Sequence, residues 1–184
     1  MGFHCQECGC FITTETQKEH NCLRCTKRKG PCAEPYVREK EITKQIKGEL
    51  KSVSLPPALA NRLILIAEKE RVALAQAGES ARQGANRFEP ELELYREAVH
   101  VGELAERGKA EENREKLKKI GSNFRIGRRR LSVEFKKPWE LLLNFNSARA
   151  EKNFFSAEFF KSQKVRSLQD KVRHYFASHP ADSL

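Results

Sequence analysis

The sequence predicts an α+β protein: an N-terminal β-ribbon built around cysteines, several helices, a β-hairpin near residues 123–136 and a long C-terminal helix. Three observations lead there. All six cysteines of the 184 residues fall between positions 5 and 32. Apolar residues then recur at helical spacing along most of the chain. Between Phe124 and Phe135 the period drops to two, the mark of half-buried strands.

The N-terminal segment is too short to bury a self-sufficient apolar core, so it needs a staple. Cys5-x2-Cys8 is a knuckle, offering two thiolates from one tight turn, half of a tetrahedral zinc site. The second pair must come from Cys22, Cys25, Cys32 or His20, because Cys10 stands too near the first pair. The preferred set is Cys5, Cys8, Cys25 and Cys32, with "RKGPC" turning through Gly30 and Pro31. That describes a zinc ribbon, two short hairpins pinned by one structural Zn2+. A finger using Cys5, Cys8, His20 and Cys25 is the rival, but it requires a helix through "TETQKEH", a poor helix former. Cys22-x2-Cys25 as the second knuckle is a third arrangement. The start "MGFHCQ" has no charged leader followed by an apolar stretch, so a cytoplasmic location and metal-binding thiols are expected rather than secretion and disulfides. No apolar run approaches the roughly 20 residues that span a bilayer, so no membrane partner is expected.

After Cys32, Ile42, Ile46, Leu50 and Val53 form one helical stripe, which Gly48 weakens without ending. "SLPP" at 54–57 stops this helix and starts the next, whose run Leu63–Ile66 is apolar all round. "GESARQGANRFEP" reads as a polar connection, and Pro90 suits the first turn of a third helix carrying Leu92, Tyr95 and Val99. A fourth helix ends in lysines before Gly121. The strands Phe124–Ile126 and Leu131–Phe135 meet at Gly127, "WELLLNF" reads as a short helix covering the hairpin, and one long amphipathic helix with the pairs Phe154, Phe155 and Phe159, Phe160 follows. The expected domains are 1–54 (ribbon and following helix), 55–108 (helical linker), 109–145 (helix and basic hairpin completing the ribbon domain) and 146–184 (C-terminal helix).

A formal net charge of +10 makes a polyanion the first partner to consider. Residues 109–137 carry eleven Lys and Arg against four Glu. Within them Arg125, Arg128, Arg129 and Arg130 sit at the hairpin, placed to reach a phosphate backbone; the bland reading is a solvated turn that protects an edge strand. Arg24 and the triplet Lys27, Arg28, Lys29, next to or between the metal ligands, form the second candidate surface. No Ser, His and Asp constellation and no acidic metal cluster stands out, so no catalytic residues are assigned and no enzyme is expected in this chain.

"CQECGCFITTETQ", "RCTKRKGPCAEPYVRE", "SLP" and "KLKKIGSNFRIGRRRLSVEFKKPWELL", in that order, resemble the C-terminal zinc-ribbon region of the large serine recombinases of the phage-integrase and transposon type. The likeness covers roughly residues 3–145. It implies a structural zinc on Cys5, Cys8, Cys25 and Cys32, and binding of half an attachment site in duplex DNA during recombination and integration of a mobile element. This chain starts at the ribbon, without the family's resolvase-like domain, so the resemblance implies a truncated or split recombinase whose nucleophile comes from a separate catalytic serine recombinase chain. Residues 58–107 stand where the family inserts a coiled coil and show no sustained heptads. Self-association through the aromatic C-terminal helix is a further expected interaction. The competing class is an RNA-associated or protein-interaction zinc ribbon with no role in recombination.

Overall fold

The computed structural model describes residues 2–76, 81–150 and 163–179. The elements are β1 (His4–Cys5), β2 (Ile12–Gln17), β3 (His20–Cys25), β4 (Val37–Arg38), α1 (Glu39–Val53), α2 (Pro57–Gln76), α3 (Ala81–Arg107), α4 (Ala110–Ile120), β5 (Gly121–Gly127), β6 (Arg130–Phe135), α5 (Trp139–Ala150) and α6 (Gln163–Ser178). The fold is α+β, with small sheets near the cysteines and a C-terminal helix. Two compact units share the chain: Met1–Lys51 with Leu104–Lys136, and Ser52–Glu103 with Lys137–Leu184. No helix among the described residues is long and apolar enough to cross a membrane.

In the first unit β2, β3 and β4 form an antiparallel sheet, while β1 joins the β5–β6 hairpin to make a second one, order β1-β5-β6. β1 runs parallel to β5 with His4 opposite Arg125 and Cys5 opposite Ile126. The hairpin alternates as expected: Ile126, Leu131 and Phe135 are buried, while Arg125, Ser132 and Glu134 face solvent. The stripe of α1 is wholly inside, with Ile42, Ile46, Leu50 and Val53 all buried. α4 starts with the Lys109 amide donating to Glu112 Oε2 at 2.9 Å and stops where the Gly121 amide donates to the Leu117 carbonyl. Glu39, at the head of α1, accepts from Arg114 of α4 at 2.5 Å and from Asn21 of β3 at 3.0 Å. One carboxylate thus ties a strand and two helices.

The second unit is helical. Its core includes Leu59, Leu63 and Ala67 of α2, Phe88, Leu92 and Tyr95 of α3, Leu142 of α5 and Val165, Leu168 and Val172 of α6. Glu91 is fully buried there and takes a hydrogen bond from Arg173 Nε at 2.5 Å and one from the Tyr95 hydroxyl at 2.9 Å. Arg173 also reaches Glu70 at 2.6 Å and lies 4.7 Å from the centre of the Phe88 ring. Burial pushes the Glu91 carboxyl up, and the Arg173 guanidinium offsets part of that.

The structure departs from these expectations in particular places. The ribbon has one hairpin, β2–β3, and not two: residues 26–36 contain no strand, and the chain returns as β4 beside β3. α3 begins at Ala81, with Pro90 inside it rather than at its first turn. Phe88 and Leu92 pack with Ala67, Ile64 and Leu74, and burying such side chains, each about 1.5–3 kcal/mol, offsets the hydrogen bond that proline cannot make. The apolar run Leu63–Ile66 is core in part, as its all-round apolar character suggests: Leu63 is fully buried and Leu65 is exposed. The helices read as a linker cluster with α5 and α6 in the second unit. There α5 packs on α6, and Trp139, Leu142 and Phe145 of α5 are buried. Phe154, Phe155, Phe159 and Phe160 lie outside the described residues.

Arg173→Ala leaves Glu91 buried without its cation and is expected to cost about 3–5 kcal/mol, read from urea unfolding followed by far-ultraviolet circular dichroism. Glu39→Gln is expected to cost about 1 kcal/mol at pH 7, the scale of a solvent-screened pair. Arg114 holds the Glu39 carboxyl below its ordinary 4.5, so this contribution is complete above that value and is lost as pH falls through the lower folded value. Wild type and variant should therefore converge in stability in acid, in melts run from pH 7 down to pH 3.

Candidate metal centre

Strand β1 delivers Cys5 to a tight knuckle. The Gly9 amide donates to the Cys5 carbonyl at 2.9 Å and the Cys5 amide to the Cys10 carbonyl at 2.7 Å, a closure that needs the positive φ of 68° at Gly9. Cys8 is thereby turned back towards Cys5. The end of β3 brings Cys25, whose sulfur accepts the Lys27 amide at 3.3 Å. Lys27 itself has φ 55°, and the turn closed by the Gly30 amide on the Lys27 carbonyl at 3.3 Å leads the chain back to Cys32.

The Sγ atoms of Cys5, Cys8, Cys25 and Cys32 all lie within 4.8 Å of one another. Cys5 is 3.6 Å from Cys32 and Cys8 is 3.3 Å from Cys25. None is in a disulfide. A tetrahedral site with metal–sulfur bonds of about 2.3 Å has sulfur–sulfur edges of about 3.8 Å, so these four thiols fit a metal ion closely. Cys10 is buried beside them and Cys22 is buried elsewhere on β3, but neither joins the cluster.

Strand geometry removes the two rival ligand sets. Cys22 and Cys25 are three apart on one strand, so their side chains leave opposite faces and cannot close as a knuckle. His20 is five residues before Cys25, roughly 16 Å along an extended strand, and it is exposed at the far end of the hairpin. The segment a finger would need as a helix is the end of strand β2, the following turn and the first residue of β3.

The thiols divide electrostatically. For Cys5, burial opposes ionisation, but the amides of Cys8 and Glu7 outweigh it and bring the thiol below its ordinary value. The Cys10 amide does the same for Cys8. Burial pushes the Cys25 thiol up to about 11. Cys32 is raised because its thiol donates to the Glu7 carboxylate at 3.0 Å, the same oxygen that accepts the Ala33 amide at 3.1 Å. The knuckle is thus the readier thiolate pair, and a bound cation would favour the thiolate form of all four.

The basic residues singled out in the sequence take different places. Arg24 is ion-paired with Glu15 across the β2–β3 hairpin. Lys27, Arg28 and Lys29 are exposed on the loop between Cys25 and Cys32. Arg128 and Arg129 occupy the hairpin turn with φ of 51° and 63°. The Arg128 amide donates to both Glu34 oxygens at 2.9 and 2.7 Å, and Arg129 Nε donates to the Tyr36 carbonyl at 3.2 Å. Gln45 of α1 bridges the turn, donating to the Arg129 carbonyl at 2.9 Å and accepting the Leu131 amide at 2.7 Å. Sequence reasoning missed Glu34 and Gln45, whose role exists only across long sequence separations. Arg125 and Arg130 remain exposed on the hairpin.

Compared with protein families, curated proteins and solved structures, the chain matches none of them.

Serine at any one of Cys5, Cys8, Cys25 or Cys32 is expected to abolish stoichiometric metal binding, while Cys10→Ala and Cys22→Ala keep one equivalent. Metal content of the purified variants by inductively coupled plasma mass spectrometry checks both halves.

Proposed function

We propose that the first unit is a zinc-scaffolded duplex-DNA-binding module that serves as the site-recognition part of a serine site-specific recombinase. Zinc is the metal that four thiolates in a closed tetrahedron select, and with all four positions filled by protein it is structural. The observation that carries the reading is the loop Lys27–Lys29, which presents three cations from a segment whose two ends are metal ligands. A loop anchored in this way meets a phosphate backbone without the ordering cost that a free basic tail incurs.

The hairpin tip supports the same reading. Two consecutive arginines in the left-handed region cost roughly 1–2 kcal/mol each relative to the Asn-Gly that such a turn prefers. Glu34, Tyr36 and Gln45 hold this costly turn in place, which leaves Arg128 as a phosphate ligand and makes Arg129 in part a clamp. Arg24 drops out because Glu15 neutralises it. The resemblance supplies the recombination context, in which this module recognises the site and a catalytic serine domain carries out strand exchange.

The zinc-loaded protein should bind a random 30-base-pair duplex with an affinity that falls steeply between 50 and 200 mM salt. Lys27→Ala, Arg28→Ala, Lys29→Ala together should weaken binding and flatten the log–log salt slope by roughly 0.9 for each phosphate no longer neutralised. Indifference of the folded, metal-loaded protein to duplex DNA at 50 mM salt would remove the reading.

A further inference from the structure

The β1-β5-β6 sheet has two faces, and strand register separates them. Cys5 opposite Ile126, and Ile126 opposite Leu131, are buried pairs that mark the inner face. One step along, His4 opposite Arg125 and Arg125 opposite Ser132 project the other way. Arg130, opposite Gly127, lies on this outer face too. Gln6 crosses it beside Gly127, its Cβ only 2.6 Å from where a Gly127 side chain would begin. Arg125, Arg130 and Ser132 are exposed.

Phe11 stands at the edge of this face. The residue is 59% exposed, the most of any large hydrophobic residue among the described residues. It packs on the His4 ring at 4.6 Å with the planes tilted by 40°, and the His4 Nδ1–H donates to the Gly9 carbonyl at 3.3 Å. The backbone around Phe11 is fixed: it bridges to His4, and its carbonyl accepts the Thr26 amide at 3.0 Å. Thr26 leads directly into Lys27–Lys29. The backbone pairing therefore places an exposed aromatic residue between the segment leading into a basic loop and the strands that carry two exposed arginines. The carboxylate that shares the outer face among the described strands, Glu134, accepts from Asn123 at 2.5 Å towards the end away from the arginines.

A protein partner for an exposed ring would want apolar neighbours around it. The residues that register places around this ring are cations and hydrogen-bonding groups instead. That combination suits a nucleotide: a base stacks on the ring, phosphates meet the guanidinium groups, and Ser132 or Gln6 reaches a base edge. A duplex keeps its base faces stacked on each other, so it cannot use the ring, whereas a single strand can. We propose that the outer face of this sheet binds a single-stranded DNA segment, with one unpaired base stacked on Phe11. The choice of DNA over RNA rests on the duplex-DNA reading above; the stacking platform does not.

The test measures fluorescence anisotropy of a labelled 12-residue oligothymidylate and, in parallel, of a 30-base-pair duplex, using the full metal-loaded chain. Phe11→Ala should weaken oligothymidylate binding by roughly 5- to 100-fold and change duplex binding less than about twofold. Phe11→Tyr, which keeps the stacking face, should stay within about twofold of wild type on both. Arg125→Ala, Arg130→Ala should weaken single-strand binding and lower its salt slope by roughly 0.7 for each phosphate no longer neutralised. Unchanged metal content establishes that each variant is folded around its site. Wild-type affinity of Phe11→Ala for oligothymidylate, or an equal loss on both ligands, would overturn the proposal. Binding of oligouridylate tenfold tighter than oligothymidylate would overturn the choice of DNA. Phe11-dependent single-strand binding without any duplex binding would leave this inference standing and remove the duplex reading alone.

Discussion

Four sulfur atoms that lie within 4.8 Å of one another set the shape of everything else in the first unit. Two come from the knuckle closed between Cys5 and Cys10, one from the end of a strand, and one from a segment without secondary structure. The apolar side chains around them amount to a few residues, too few to hold these segments together against their chain entropy. A cation on the four thiols would supply the missing attraction and remove the cost of bringing partly ionised sulfurs together. The loop between Cys25 and Cys32 would then inherit rigidity from its ends. With the metal in place, a basic loop becomes a fixed surface.

The second consequence concerns β1. Two residues of strand cannot stand alone, yet His4 and Cys5 pair in parallel with β5, far along the chain. This pairing lays the knuckle on the hairpin, with the Gln6 amide donating to the Ile126 carbonyl at 2.9 Å and its side chain packed against Gly127. The metal cluster and the basic hairpin are therefore one rigid piece within the unit. Glu34, Tyr36 and Gln45 complete it from the side of β4 and α1.

The helical unit is organised by a different constraint. Arg173 and Glu91 are removed from water together, with Tyr95 and Glu70 taking the remaining hydrogen-bonding capacity. A pair of this kind adds little net stability over an apolar packing, but a shifted helix register would strand one of the charges. It fixes how α6 lies on α3.

Local periods were legible in the order of residues. The α1 stripe Ile42, Ile46, Leu50 and Val53, the alternation of β5 and β6, and the knuckle Cys5-x2-Cys8 are all short-range patterns, so they could be read without knowing what packs on them. The second ligand pair was narrower than its spacing suggested: once β3 is known to be a strand through His20–Cys25, Cys22 and His20 fall on the wrong face or at the wrong end. Everything else waited on the folded chain. The start of α3 upstream of Pro90 depends on Phe88 finding α2, the docking of β1 depends on a partner strand that follows α4, and the split of the basic residues into paired and free depends on Glu15, Glu34 and Tyr36. Each of these is an interaction between separated segments, whose energy appears in no local pattern of residues.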